Sequence, residues 1–195
     1  MNPQIKRSIK FSLTIAVITF VLAAIFSIVS SSLLSKIIWY LGMIVVLIIV
    51  LIGIVFDMLG IASTAAKEAP FHAMAAEKVH GAKESVIIIR NADKFASFSN
   101  DVIGDISGIV SGTATAIVVL QISQILGYSD GSAVHISISV ILTSFVAALT
   151  VGGKALGKYF AIHNSTEIIM MTGKVIAFIE FKLKIQLLPR KQKRK

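Results

Sequence analysis

Long apolar runs dominate the chain, and each run ends at a charged residue. Four uncharged stretches result: 25 residues between Lys10 and Lys36, 20 between Lys36 and Asp57, 24 between Asp105 and Asp130, and 23 between Asp130 and Lys154. A helix needs about 20 apolar residues to cross a bilayer, so each stretch is long enough to span. The pattern predicts an all-α integral membrane protein with four transmembrane helices.

The first stretch has a second interpretation, because a basic start followed by an apolar run is typical of a secretory signal peptide. A signal core has about 7 to 15 apolar residues, whereas this run continues to Leu34. Length favours a true span, and the small residues Ser30 to Ser32 leave cleavage open. Without this span, the other three would keep their orientation.

The connections alternate between short and long. Residues 35–36 separate the first two stretches, and the turn-rich residues 127–133 separate the last two. The segment Ala65 to Arg90 predicts one or two short helices, interrupted around Pro70 and Gly81, that form a hairpin at the cytoplasmic interface. After a predicted N-cap at Asn164, residues 168–184 predict an amphipathic juxtamembrane helix.

Composition and charge agree with a membrane protein. The chain is 55% hydrophobic and only 15% charged, whereas about a quarter of the residues in soluble domains are charged. If the N-terminus is cytoplasmic, all 19 lysines and arginines except Lys36 lie inside. We therefore predict a multi-pass plasma-membrane protein of prokaryotic type with cytoplasmic N- and C-termini.

The basic tail, residues 182–195, is predicted to attract anionic lipid headgroups, which makes membrane lipid an expected partner. Nucleic-acid binding by the tail is the weaker interpretation, and we predict no nucleic-acid partner. The chain contains no cysteine, no serine in a nucleophile elbow and no glycine-rich phosphate loop. We therefore predict neither an enzyme nor an organic cofactor.

The approach to the third span carries the candidate chemistry. At α-helical spacing, Asp101 and Asp105 lie one turn apart, and a neighbouring row contains Asn100, Gly104, Gly108 and Gly112. Two carboxylates near a membrane boundary need a partner, water or a cation. The glycines would let another helix approach closely, and packing is their simplest role.

Asp57 and Ser63, at the inner end of the second span, add a carboxylate and a hydroxyl to this set. Hard cations such as magnesium or calcium prefer such all-oxygen ligands. An alternative is that the acids merely end helices at the aqueous boundary, or pair with Arg90, Lys94 or Lys154.

Several separated segments form a larger pattern. They are Ile61-Ala-Ser-Thr-Ala-Ala66, residues 75–83, Ile89-Arg-Asn-Ala-Asp-Lys-Phe95, Asn100 with Gly104 and Asp105, and residues 153–162. Together, within Ile37 to Glu180, these segments resemble the transmembrane domain of CorB/CorC/CNNM-type magnesium transporters.

The resemblance implies a domain of three family spans with a cytoplasmic helical hairpin, usually a homodimer, that binds a dehydrated magnesium ion between helices. By position, Ser63 or Thr64 matches the hydroxyl that ends the first family span, and Asn100 and Gly104 are the best matches to its asparagine and glycine. The chain would then divide into an additional N-terminal span (1–36), a CNNM-like transmembrane domain with its juxtamembrane helix (37–181) and a basic cytoplasmic tail (182–195).

The chain departs from the family pattern at its closing motif, where Lys154 and Gly157 replace a glutamate and a proline. The family's regulatory pair of nucleotide-binding domains would have to come from a separate soluble subunit. Two functions therefore stay open. One is transport or efflux of magnesium, or cobalt, through a metal site formed by Ser63, Asn100, Asp101, Gly104, Asp105 and Asp57. The other is a transport-inactive scaffold or partner subunit in which Lys154 neutralises the acids.

Overall fold

The structure, a computed structural model, describes residues 3–184 and residue 188. All regular secondary structure in these residues is helical, which confirms the predicted all-α class. Most of the predicted basic tail, residues 182–195, lies outside the described residues. The predicted domain division at residues 36 and 181 stays a prediction.

Eight α-helices and one π-helical segment make up the described part of the chain. They are α1 (Pro3–Leu34), α2 (Trp39–Ala65), α3 (Glu68–Ala76), α4 (Ala82–Arg90), α5 (Ala92–Ser97), the π-helical segment (Phe98–Gly104), α6 (Asp105–Ile125), α7 (Ala133–His163) and α8 (Ser165–Leu183). Four helical stretches are long and apolar enough to cross a membrane: Ser8–Leu34, Trp39–Ala65, Ala92–Ile125 and Ala133–His163. These stretches correspond to the four predicted spans.

The chain folds into two compact units, one of Met1–Val55 with Asp101–Lys154 and one of Phe56–Asn100 with Ala155–Lys195. We call the first the span unit and the second the short-helix unit. The span unit contains α1, α6, most of α2 and most of α7. The short-helix unit contains α3, α4, α5 and α8, together with the end of α2 and the end of α7.

Aliphatic side chains and one amide hold the span unit together. One cluster of buried residues includes Val46, Val50 and Val118. The Gln121 side-chain amide donates hydrogen bonds to the carbonyl oxygens of Leu34, at 2.8 Å, and Ile37, at 3.0 Å. These carbonyls belong to the turn after α1, where helical partners run out, so Gln121 fastens that turn to α6.

The short-helix unit has a compact core in which Phe71, Ile88 and Ile169 are fully buried. Each such side chain contributes on the order of 1.5 to 3 kcal/mol by leaving water. The Ser85 hydroxyl lies 2.9 Å from the Gly81 carbonyl oxygen and 3.0 Å from that of Ile169. A methyl group at Gly173 would overlap the Gly81 carbonyl oxygen. Helices α4 and α8 therefore meet at backbone distance.

The structure corrects two local predictions. Pro70 does not interrupt a helix, because it lies in the first turn of α3, where a missing N–H costs nothing. The α-helical spacing assumed for Asn100, Asp101, Gly104 and Asp105 is also wrong. Residues 98–104 are π-helical, and hydrogen bonds there connect residue i with residue i+5.

Other expectations agree with the backbone. The chain turns at Gly81, whose φ of 85° suits glycine. The turn between α6 and α7 contains Gly127 and Gly131, both with positive φ. Asn164 occupies the N-cap position of α8, but its side chain makes no capping hydrogen bond.

Candidate functional site

The Asn100 side-chain oxygen is buried and has no hydrogen-bond partner among the described residues. Asn100 lies in the π-helical segment, and its amide packs against Gly60 of α2 so closely that a methyl group at position 60 would overlap it. An unsatisfied buried acceptor costs about 1 to 3 kcal/mol. Oδ1 of Asn100 therefore lacks the donor or cation that a buried acceptor normally has, and π-helical turns are frequent at functional sites.

Ser63 is buried one turn after Gly60 on α2. Its hydroxyl donates to the Gly60 carbonyl oxygen at 2.7 Å, so the hydroxyl proton is used while a lone pair remains for a ligand. Thr64 is exposed and donates to the Ile61 carbonyl oxygen. Of the two hydroxyls that the resemblance allowed, Ser63 is the interior one, and it shares Gly60 as a neighbour with Asn100.

Asp57 lies one turn before Gly60 on α2. It is partly buried and already takes part in an interaction within the protein. A cation at Asp57 would therefore compete with an existing partner.

The remaining predicted site residues belong to the span unit. Asp101 is exposed, and Gly104 is buried. Oδ1 of Asp105 lies 3.7 Å from Nζ of Lys154, and the Asp105 side chain is 66% exposed. Charge-assisted N–H···O bonds are usually about 2.7 to 2.9 Å long, so this ion pair is loose. Lys154 nevertheless contacts one of the acids, as the scaffold alternative requires.

No group of three or more histidine, aspartate or glutamate side chains converges as metal ligands would in residues 3–184 and 188. The candidate oxygens near Gly60 are the Asn100 amide, the Ser63 hydroxyl and the single carboxylate of Asp57, and water would complete a cation's shell. Magnesium tolerates such a shell, because it dehydrates reluctantly and usually keeps several waters.

Two close helix approaches in the span unit use glycines of α2 that sequence reasoning did not select. A methyl group at Gly42 would lie 2.9 Å from the Val118 side chain, and one at Gly53 would lie 2.8 Å from Cβ of Ser107. By contrast, a methyl group at Gly108 or Gly112 would meet no atom within 4 Å. A signal for Gly53 and Gly60 was present, since residues seven apart share a helix face.

A polar cluster between α3 and α4 was also missed. Nε2 of His72 and Nε of Arg90 lie 2.6 Å and 2.5 Å from Oε1 of Glu68. Hydrogen bonds from His72 and then from Arg90 lower the pKa of Glu68 below its usual range. The cluster links two helices at the protein surface and lies outside the candidate cation site.

Comparisons with family models, with curated proteins and with solved structures gave no match. The resemblance to magnesium transporters therefore depends on the quoted segments alone.

Proposed function

We propose that this chain is a divalent-cation transport module that moves magnesium, or cobalt, through an oxygen-ligand site between membrane helices. The observation that carries the proposal is the buried, unpartnered side-chain oxygen of Asn100. Ser63 and Asp57 on α2 supply further oxygens, and Gly60 gives the Asn100 amide its space. Asp101 and Asp105, the other acids selected from the sequence, belong to the span unit.

Magnesium-dependent stability of the purified chain in detergent tests the proposal. A ligand that binds only the folded state stabilises it by RT ln(1 + [L]/Kd), so the melting midpoint should rise with magnesium concentration. Asn100→Ala and Ser63→Ala should remove this rise. Asn164→Ala is the matched control, because Asn164 is exposed and makes no capping bond, and it should keep the wild-type response.

A wild-type melting midpoint that does not change with magnesium would contradict the proposal. Choline chloride at matched ionic strength is the control for a general salt effect. Proteoliposomes loaded with a magnesium-sensitive dye then test movement. Transport expected of the wild type should be lost in Asn100→Ala and retained in Asn164→Ala.

The second candidate function is a transport-inactive membrane scaffold or partner subunit, and the ion pair between Lys154 and Asp105 favours it. In that case Lys154→Glu should lower the melting midpoint by placing two like charges together, and magnesium should have no effect. If the chain is a transporter, Lys154→Gln should instead preserve or strengthen the magnesium response.

The proposal includes a plasma-membrane location with both termini in the cytoplasm, supported by the basic residues of the inner connections. The chain has no cysteine, so single cysteines report the orientation cleanly. An impermeant maleimide should label Ser129→Cys in intact cells and Lys94→Cys only after permeabilisation. The opposite labelling pattern would invert the topology.

A homodimer is also proposed, because the α6 surface at Gly108 and Gly112 is open enough for a second helix. Gly112→Leu should convert a dimer in detergent to a monomer in light scattering. Gly152→Leu on α7, at an equally open glycine, should leave the dimer intact.

A regulatory soluble subunit would be sought by co-purification from native membranes.

A further inference from the structure

The short-helix unit contains an open cavity of about 610 Å³ that is lined by the turn between α3 and α4 and by the end of α8. Its basic lining residues are Lys78, His80, Lys83 and Lys184. None of the candidate cation ligands lines this cavity.

The charges of the cavity favour an anion. Its carboxylates, Glu84 and Glu180, both have partners within the protein, and Glu180 accepts a hydrogen bond from the backbone N–H of Leu188 at 3.1 Å. In the part of the chain that the structure describes, no ion pair involves Lys78, Lys83 or Lys184. Three lysines therefore line one cavity, and both of its carboxylates already interact within the protein.

The backbone at two of these lysines is unusual. Lys78 has a φ of 60° and Lys184 a φ of 52°, and they are the non-glycine residues with positive φ among those described. Glycine adopts this conformation at helix ends without strain, whereas a residue with a side chain does not. Both outliers line the same cavity, and strained residues cluster at ligand sites.

The surface beside the cavity is apolar. Met171, Val175, Phe178 and Phe181 follow one another on α8 at spacings of four, three and three residues, and all four are exposed. Such a stripe is typical of a helix whose apolar face enters the boundary between lipid headgroups and acyl chains. Phe181, which is 86% exposed, belongs both to this stripe and to the cavity wall.

We propose that this cavity binds the phosphate of an anionic phospholipid headgroup, with Lys78, Lys83 and Lys184 as its cationic contacts and Phe181 against the glycerol and acyl region. The lysine stems reach past apolar surface to the phosphate, as basic side chains do at membrane interfaces. The proposal is independent of cation transport.

Native mass spectrometry of the full chain in mild detergent tests this site, with phosphatidylglycerol and phosphatidylcholine as probes. The wild type should retain phosphatidylglycerol preferentially. Each basic residue near anionic lipid contributes on the order of 1 kcal/mol, so the variant Lys78→Gln/Lys83→Gln/Lys184→Gln should lose about a hundredfold in apparent affinity. Lys83→Gln alone should lose about fivefold by the same relation.

The matched control is Lys67→Gln/Lys94→Gln/Lys158→Gln, which removes three exposed lysines outside the cavity and leaves the basic tail intact. It should keep most of the preference. An equal loss in this control would overturn the proposal, as would equal retention of the two lipids by the wild type.

Two further arms complete the test. Inorganic phosphate should displace the lipid poorly. Displacement at concentrations similar to those of phosphatidylglycerol would assign the cavity to a free phosphate ligand and overturn the lipid assignment.

The melting midpoint of every variant is recorded. If the triple variant is unstable, the lipid affinity of the single Lys83→Gln variant is the test of the site. An unchanged affinity in that variant would overturn the proposal.

Discussion

The span unit and the short-helix unit bury their residues differently. In the span unit, α1 leaves large apolar side chains such as Leu13, Phe20 and Ile28 more than 60% exposed, and its interior is mainly aliphatic. In the short-helix unit, Phe71, Ile88 and Ile169 are buried completely. Helices that are long and apolar enough to cross a membrane can leave their outer faces to lipid, whereas short helices need a dense core.

The largest expected effect separates the tightly packed glycines from the open ones. Gly173→Ala should destabilise the protein by about 3 kcal/mol, because the added methyl group overlaps both the buried Oγ of Ser85 and the backbone carbonyl oxygen of Gly81. A methyl group at Gly152 in the span unit meets no atom within 4 Å, so Gly152→Ala should be neutral or stabilising by up to about 1 kcal/mol. Unfolding by dodecyl sulfate, followed by circular dichroism, measures both. Equal destabilisation by the two substitutions would contradict the distinction between tightly packed and open glycines.

The second prediction concerns the single amide that fastens the turn after α1. Gln121→Met keeps the length of the side chain but removes both hydrogen bonds to the carbonyl oxygens of Leu34 and Ile37. We expect a loss of about 1.5 kcal/mol in the same assay, because two carbonyl oxygens lose their donor while the buried, unpartnered Oε1 of Gln121 is removed as well. Gln124→Met, at an exposed position one turn further along α6, is the control and should change the stability little. If the stability of Gln121→Met equals that of the wild type, aliphatic packing alone holds this turn.

A smaller effect distinguishes two buried serines. Ser85→Ala should cost about 1 kcal/mol, because it removes the hydroxyl that bridges Gly81 and Ile169. The Ser30 hydroxyl is buried without a partner among the described residues, so Ser30→Ala should be neutral or stabilising. If Ser30→Ala instead lowers the stability more than Ser85→Ala does, the Ser30 hydroxyl has a partner in the membrane.

The smallest effect is that of pH on the surface cluster of the short-helix unit. Because His72 and Arg90 lower the pKa of Glu68, the stability contributed by this carboxylate is complete above the usual glutamate pKa of about 4.3. It is lost as the pH falls through the lowered value. In Glu68→Gln this part of the acid dependence should disappear from melting midpoints recorded between neutral and acidic pH. An identical acid dependence in wild type and variant would exclude Glu68 as its source.

The fold was predictable where composition alone decides the structure. The uncharged runs that contain Phe20, Val46 and Ile141 are too long and too apolar for soluble helices, so four long helices followed directly from the sequence. The turn at Gly81 was also predictable from the sequence, because a glycine between two short helical patterns indicates a break between helices.

The candidate site was predictable only in its residue types. Asn100 and Ser63 were selected from the sequence, but the α-helical spacing around Asn100 was wrong. An α-helix and a π-helix differ by one residue in their hydrogen-bond pattern, and that choice depends on packing rather than on local propensity. The cavity lined by Lys78 and Lys184 joins residues about a hundred positions apart, which no local pattern reports.

The π-helical segment determines the direction in which the Asn100 side chain leaves its helix, because the wider hydrogen-bonding pattern shifts each side chain around the helix axis. In a regular α-helix one residue corresponds to about 100° around that axis. Deleting one residue within 98–104 should therefore move the Asn100 amide out of its contact with Gly60. Chain length in this segment is thus a constraint of its own, separate from the identity of the side chains.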